Sequence, residues 1–199
     1  MDIRTLETNT KTEFHKLLPE DGSHSNSCFS PQHTLDSEEV IARYAKYYNL
    51  IFDGFHVLYG EPIYSWQDFL RFMKDVIGFE ITIVHFENPM DSMIAGTWKW
   101  DDVEKKSFII LLNSATRDAN ITIGHECVHA IQDIDEDFKQ EVENYPLPLR
   151  MRIADRVAEM VAIQIFRPRE KVVMDRAAGL SVYEIALKYG VSESIASFS

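Results

Sequence analysis

The stretch from Ile121 to Gln132 reads Ile-Thr-Ile-Gly-His-Glu-Cys-Val-His-Ala-Ile-Gln, and its centre, His125-Glu126-Cys127-Val128-His129, constrains the chain more than any other feature. At 3.6 residues per helical turn, His125 and His129 lie one turn apart on the same face. Two imidazoles so spaced can grip one metal ion, and the H-E-x-x-H pattern is that of zinc. Glu126 is rotated about 100° from His125. It can therefore act on water beside the ion as a general base without being a ligand. Ile121, Val128 and Ile131 form the stripe that buries such a helix. Gly124, just before the first histidine, lets another backbone come close. The competing reading is an ordinary amphipathic helix with two unrelated histidines.

A zinc site on two histidines needs a third protein ligand and leaves a fourth position for water. The pattern from Leu149 to Phe166 predicts a later helix with Ile153, Val157, Met160, Val161 and Phe166 apolar. Asp155 and Glu159 stand four apart on one side of it. Either can bind the metal while the other orients a ligand histidine. As an alternative, both belong to a solvated face paired with Arg152 and Arg156.

The rest of the chain supplies a scaffold. Residues 1–37 are polar, without apolar period, and read as a flexible extension in which His15, His24 and His33 are solvated. Asp36-Ser37 caps a helix carrying Val40, Ile41, Tyr44, Tyr47 and Tyr48, with Asn49, Asp53 and Gly54 at its end. Ser65 opens a second helix that Gly78 stops after Ile77. Three strand patterns follow, Phe79 to Phe86, Met93 to Trp100 and Ser107 to Asn113, and their short links predict an antiparallel meander. An edge of that sheet, expected at Ser107 to Asn113, could take an extended peptide as an added strand. The metal helix is expected from Asp118 to Ile134, followed by an acidic solvated stretch broken at Pro146 and Pro148. Ser181 to Tyr189 and the turn Gly190-Val191-Ser192 have helix-turn-helix texture.

A net charge of −12 over 199 residues argues against direct nucleic-acid binding. From about Phe166 onward the count of five basic to four acidic residues adds little. Cys28 and Cys127 lie in contexts that do not suggest a disulfide. With no apolar leader and no membrane-length segment, the expected location is the cytoplasm, with no membrane partner.

From about Ile81 to its end the chain resembles the ImmA/IrrE-type metallopeptidases. The resemblance rests on Ile110 to Asn113, Ile121-Thr122-Ile123-Gly124 leading into His125-Glu126-x-x-His129, Asp155-Arg156-Val157-Ala158-Glu159, Pro168 and Gly190-Val191-Ser192. The chain departs from the family at Ile121, where Phe is usual, and at Phe166-Arg167-Pro168. The family's zinc-binding Glu falls on Asp155, and its following Asn on Glu159. The resemblance implies a zinc endopeptidase that cleaves a helix-turn-helix repressor, hence a role in transcription regulation.

The expected protein is thus α+β: a flexible extension (1–37), a zincin-like metallopeptidase domain with a three-stranded antiparallel sheet (38–168), and a helix-turn-helix-like appendage (169–199). Zn2+ would be held by His125, His129 and Asp155 or Glu159, with Glu126 as general base. The alternative is a weakly catalytic or non-catalytic module that binds a repressor or DNA, its metal site structural or vestigial.

Overall fold

A computed structural model describes residues 37–59, 65–87 and 95–197. The extension with His15, His24, His33 and Cys28, and the Asn88-Pro89 turn, lie outside these residues. The first helix, α1 (Ser37–Tyr59), buries Val40, Ile41, Tyr44, Ala45, Tyr48, Ile51 and Phe52 along one face. It runs past Asn49, Asp53 and Gly54, because burial of Ile51 and Phe52 outweighs local helix-breaking preference. Helix α2 (Trp66–Phe72) is capped by Ser65, whose Oγ accepts from the Gln67 N–H, and continues into a π-helical turn, Met73–Ile77. Gly78 ends it at φ 93°, a left-handed conformation that costs glycine little.

The sheet holds β1 (Glu80–Phe86), β2 (Gly96–Trp100) and β3 (Ser107–Asn113) in the order β1-β3-β2. Here the expected antiparallel meander is corrected. Strand β3 pairs parallel with β1, setting Ile83 beside Ile110, and antiparallel with β2, setting Trp98 beside Ile110. The reason lies in β3 itself. Phe108, Ile110 and Leu112 are buried and Ile109 and Leu111 half-buried, whereas β1 and β2 alternate with exposed residues. A continuous apolar run is best covered by taking the middle position. Among the described strands the edges are therefore β1 and β2, not Ser107–Asn113.

Helix α3 (Ala119–Ile134) lies between this sheet and α5 (Leu147–Phe166), and α1 packs on the far side of α5. The acidic stretch between them is no loop. It forms α4 (Glu136–Val142), capped by Asp135, with Phe138 and Val142 buried. Two carboxylates of this stretch bond to α1: Tyr48 donates to Asp135 at 2.9 Å and Tyr44 to Glu141 at 3.1 Å. Pro148 opens α5 instead of breaking the chain, since a first-turn residue needs no N–H partner.

Three short helices end the described chain: α6 (Arg169–Ala177), α7 (Val182–Tyr189) and α8 (Glu193–Ser197). Helix α6 has one buried residue, Val172, which explains its weak signal in the sequence. Ser181 and Glu184 form a capping box at the start of α7, and Gly190, at φ 60°, closes it. The Asp118 carboxylate accepts from the Ser192 N–H at 2.5 Å, which ties this unit to the start of α3. The result is a mixed α/β fold, mostly helical, around a three-stranded mixed sheet. No described helix is long and apolar enough to cross a membrane.

Candidate metal centre

Two close approaches set the site. Where α3 crosses α5, a Cβ built on Gly124 would stand 2.9 Å from Phe166 Cε2 and 3.3 Å from Ala162 Cβ. The bare glycine lets the two helices come near enough for their side chains to share a site. Where α3 meets the sheet, a Cβ on Gly96 of β2 would lie 2.6 Å from Thr122 Cγ2 and 3.5 Å from Glu126 Cγ. Thus α3 presents its histidines towards α5, and β2 lies against Glu126.

His125 Nε2 and His129 Nε2 stand 3.0 Å apart, and Asp155 Oδ1 lies 3.3 Å from His129 Nε2. One ligand atom from each of the three residues falls within 4.8 Å of the other two. Two nitrogens on a single tetrahedral ion, each at 2.0–2.1 Å from it, would be about 3.3 Å apart. The spacing and the N, N, O donor set therefore fit a divalent cation. Asp155 is open to solvent and His129 mostly covered, so the group forms the floor and rim of an accessible site.

The electrostatics suit neutral ligands. Burial, with His129 alongside, pushes His125 down to about 4 against the opposing pull of Asp155. At neutral pH its ring is uncharged and has a lone pair to offer. Burial, reinforced by the Asp155 carboxylate, raises Glu126 to about 7. Glu126 is only 8% exposed, unusual for a carboxylate without a cationic partner among the described residues. Cys127 is a buried free thiol, and burial raises it well above the usual range, so it serves packing.

Of the two carboxylates predicted as third ligand, Asp155 joins the histidines. Glu159 instead pairs with Arg156 one turn earlier on α5, and it is not part of the cluster. Sequence reasoning missed Gln132 and Gly96. Gln132 Oε1 lies 2.8 Å from His129 Nδ1, and its Nε2 donates to the Ala154 carbonyl at 3.1 Å. An amide one turn beyond a ligand histidine on the same helix was the available signal. Gly96 had none, because its role depends on which strand meets α3.

Fold and site together define a mostly helical α/β protein with a His-His-Asp group able to hold a metal ion. In comparisons with known proteins, no family model matches the chain and no curated protein gives a significant match.

Proposed function

We propose that the chain is a zinc-dependent peptidase of zincin type, related to the ImmA/IrrE-type metallopeptidases that its motifs resemble. His125, His129 and Asp155 would hold the ion. One observation carries the reading: a buried carboxylate, Glu126, lies beside the His-His-Asp group, on the helix that carries both histidines. A structural metal site has no use for such a group, whereas hydrolysis does.

A cation held there would act as a Lewis acid on a carbonyl and make water a better nucleophile. Glu126 would take the proton from that water and pass it to the departing amine. The backbone of β2 is the edge nearest Glu126, so an extended substrate would add there as a further strand. The motif resemblance suggests a helix-turn-helix repressor as substrate.

The test is Glu126→Gln, assayed with zinc added against a quenched-fluorescent peptide library. Cleavage should fall by ~10²–10⁴-fold while zinc content stays at the wild-type level. Undiminished cleavage in the variant would reject the mechanism.

A second reading, a module that grips a repressor or other partner, is favoured by the C-terminal helices. Val173, Met174, Tyr183 and Leu187 stand exposed on α6 and α7, more apolar surface than a purely solvated appendage needs. Zinc bound without any peptide cleavage would favour this reading over the first.

A further inference from the structure

Gln132 is buried, 4% exposed, and bonded at both ends. The Ala154 carbonyl has no hydrogen to give, so the group 3.1 Å from it must be the Gln132 NH2. That fixes the amide, and the atom 2.8 Å from His129 Nδ1 is then the amide oxygen. An amide oxygen only accepts, so His129 donates from Nδ1. A neutral imidazole has one N–H, which leaves the lone pair on Nε2. That nitrogen is the one 3.0 Å from His125 Nε2 and 3.3 Å from Asp155 Oδ1. The chain of donors and acceptors therefore runs from the backbone of α5 through Gln132 to the face of His129 that meets the cluster.

We infer that Gln132 is the positioning residue of the metal centre: it locks His129 in the tautomer that presents Nε2 and, through Ala154, holds the turn of α5 that carries Asp155. The inference rests on the proposal that His125, His129 and Asp155 bind a cation. Two ligands on different helices are thus set by one side chain that touches neither the ion nor the substrate. Partners of this kind commonly govern affinity as well as orientation.

The test measures Zn2+ affinity by competition with a chromophoric chelator, and the visible absorption of the Co2+ form. The proteins are wild type, Gln132→Met and Gln132→Glu, each checked for folding by circular dichroism. The Met variant, similar in size but without acceptor or donor, should bind Zn2+ ~10–100-fold more weakly with an altered Co2+ spectrum. The Glu variant, which still accepts from Nδ1 but cannot donate to the Ala154 carbonyl, should recover part of the loss. A folded Met variant with wild-type affinity and spectrum overturns the inference. Should the Met variant not fold, the zinc-loaded wild type decides. Its imidazole 15N spectrum should show His129 protonated at Nδ1 and ligated at Nε2, and ligation through Nδ1 overturns the inference. Wild type that binds neither ion would refute the metal reading and this inference with it. Zinc-binding wild type with an unaffected variant refutes this inference alone.

Discussion

Gly96 on β2 and Glu126 on α3 approach so closely that a single methyl group on residue 96 would lie 3.5 Å from Glu126 Cγ. The same methyl would run into Thr122 Cγ2 at 2.6 Å. A side chain at residue 96 would thus collide with Thr122, one turn before Glu126, so the bare glycine sets how closely the strand edge meets the turn of α3 that carries the buried carboxylate.

Gly96→Ala should destabilise the protein by roughly 1–3 kcal/mol through overpacking, read by denaturant unfolding. Thr122→Ser removes the methyl that the new Cβ would strike. The double variant should regain much of the loss, a non-additivity expected of residues in contact. Additive losses would show that the two do not meet.

The helix crossing makes a parallel prediction. Gly124→Ala gains about 1 kcal/mol of helix preference, yet its Cβ would press on Phe166, which is fully buried and has little room to move. The net effect should be a loss of stability together with weaker Zn2+ binding, because the spacing of α3 and α5 sets the distance between His129 and Asp155. Unchanged metal affinity would mean that this spacing does not govern the site.

The two carboxylates of α5 should separate cleanly. Asp155→Ala should weaken Zn2+ binding by more than the roughly 10–100-fold that outer-shell changes cost. Glu159→Ala should leave affinity unaltered, since it breaks only an exposed pair with Arg156, worth ~0.2–1 kcal/mol. Competition titration of both variants checks this, and the reverse order would return the ligand role to Glu159.

Alkaline pH should unfold the protein through its tyrosines. Burial, then the nearby Asp135 carboxylate, raises Tyr48 well above the ordinary phenol range. The folded state thus keeps a proton that the unfolded chain releases near pH 10. The stability tied to that proton is complete below about pH 10 and is lost as pH rises further. Tyr48→Phe should cost roughly 1–3 kcal/mol at neutral pH through the lost bond to Asp135. It should also make the alkaline decline shallower, as followed by chemical denaturation across the pH range.

What the sequence revealed was what local spacing encodes. His125, Glu126 and His129 sit within a single helical turn, so their relation could be read without knowing the fold. The elements carrying Asp155 and β3 were visible too, as periodic or continuous apolar runs. Their neighbours were not. Asp155 and Glu159 differ by about 40° around α5, and the choice between them depends on how that helix rolls against Gly124 and Phe166. The run Phe108 to Leu112 marked a strand. Short links suggested that it lay in a meander, and the parallel pairing with β1 followed from burial, which no link length reports. Helix α6 and Gln132 escaped for opposite reasons: the helix has almost no apolar period, and the glutamine acts through one hydrogen bond to a residue on another element.

The central claim is that His125, His129 and Asp155 share a cation, and elemental analysis of protein purified without chelators tests it most directly. The account predicts close to one zinc per chain in wild type and none in the His125→Ala/His129→Ala variant, both folded by circular dichroism. Wild type free of metal and unable to take up added zinc, or a double variant that binds zinc as well as wild type, would contradict it.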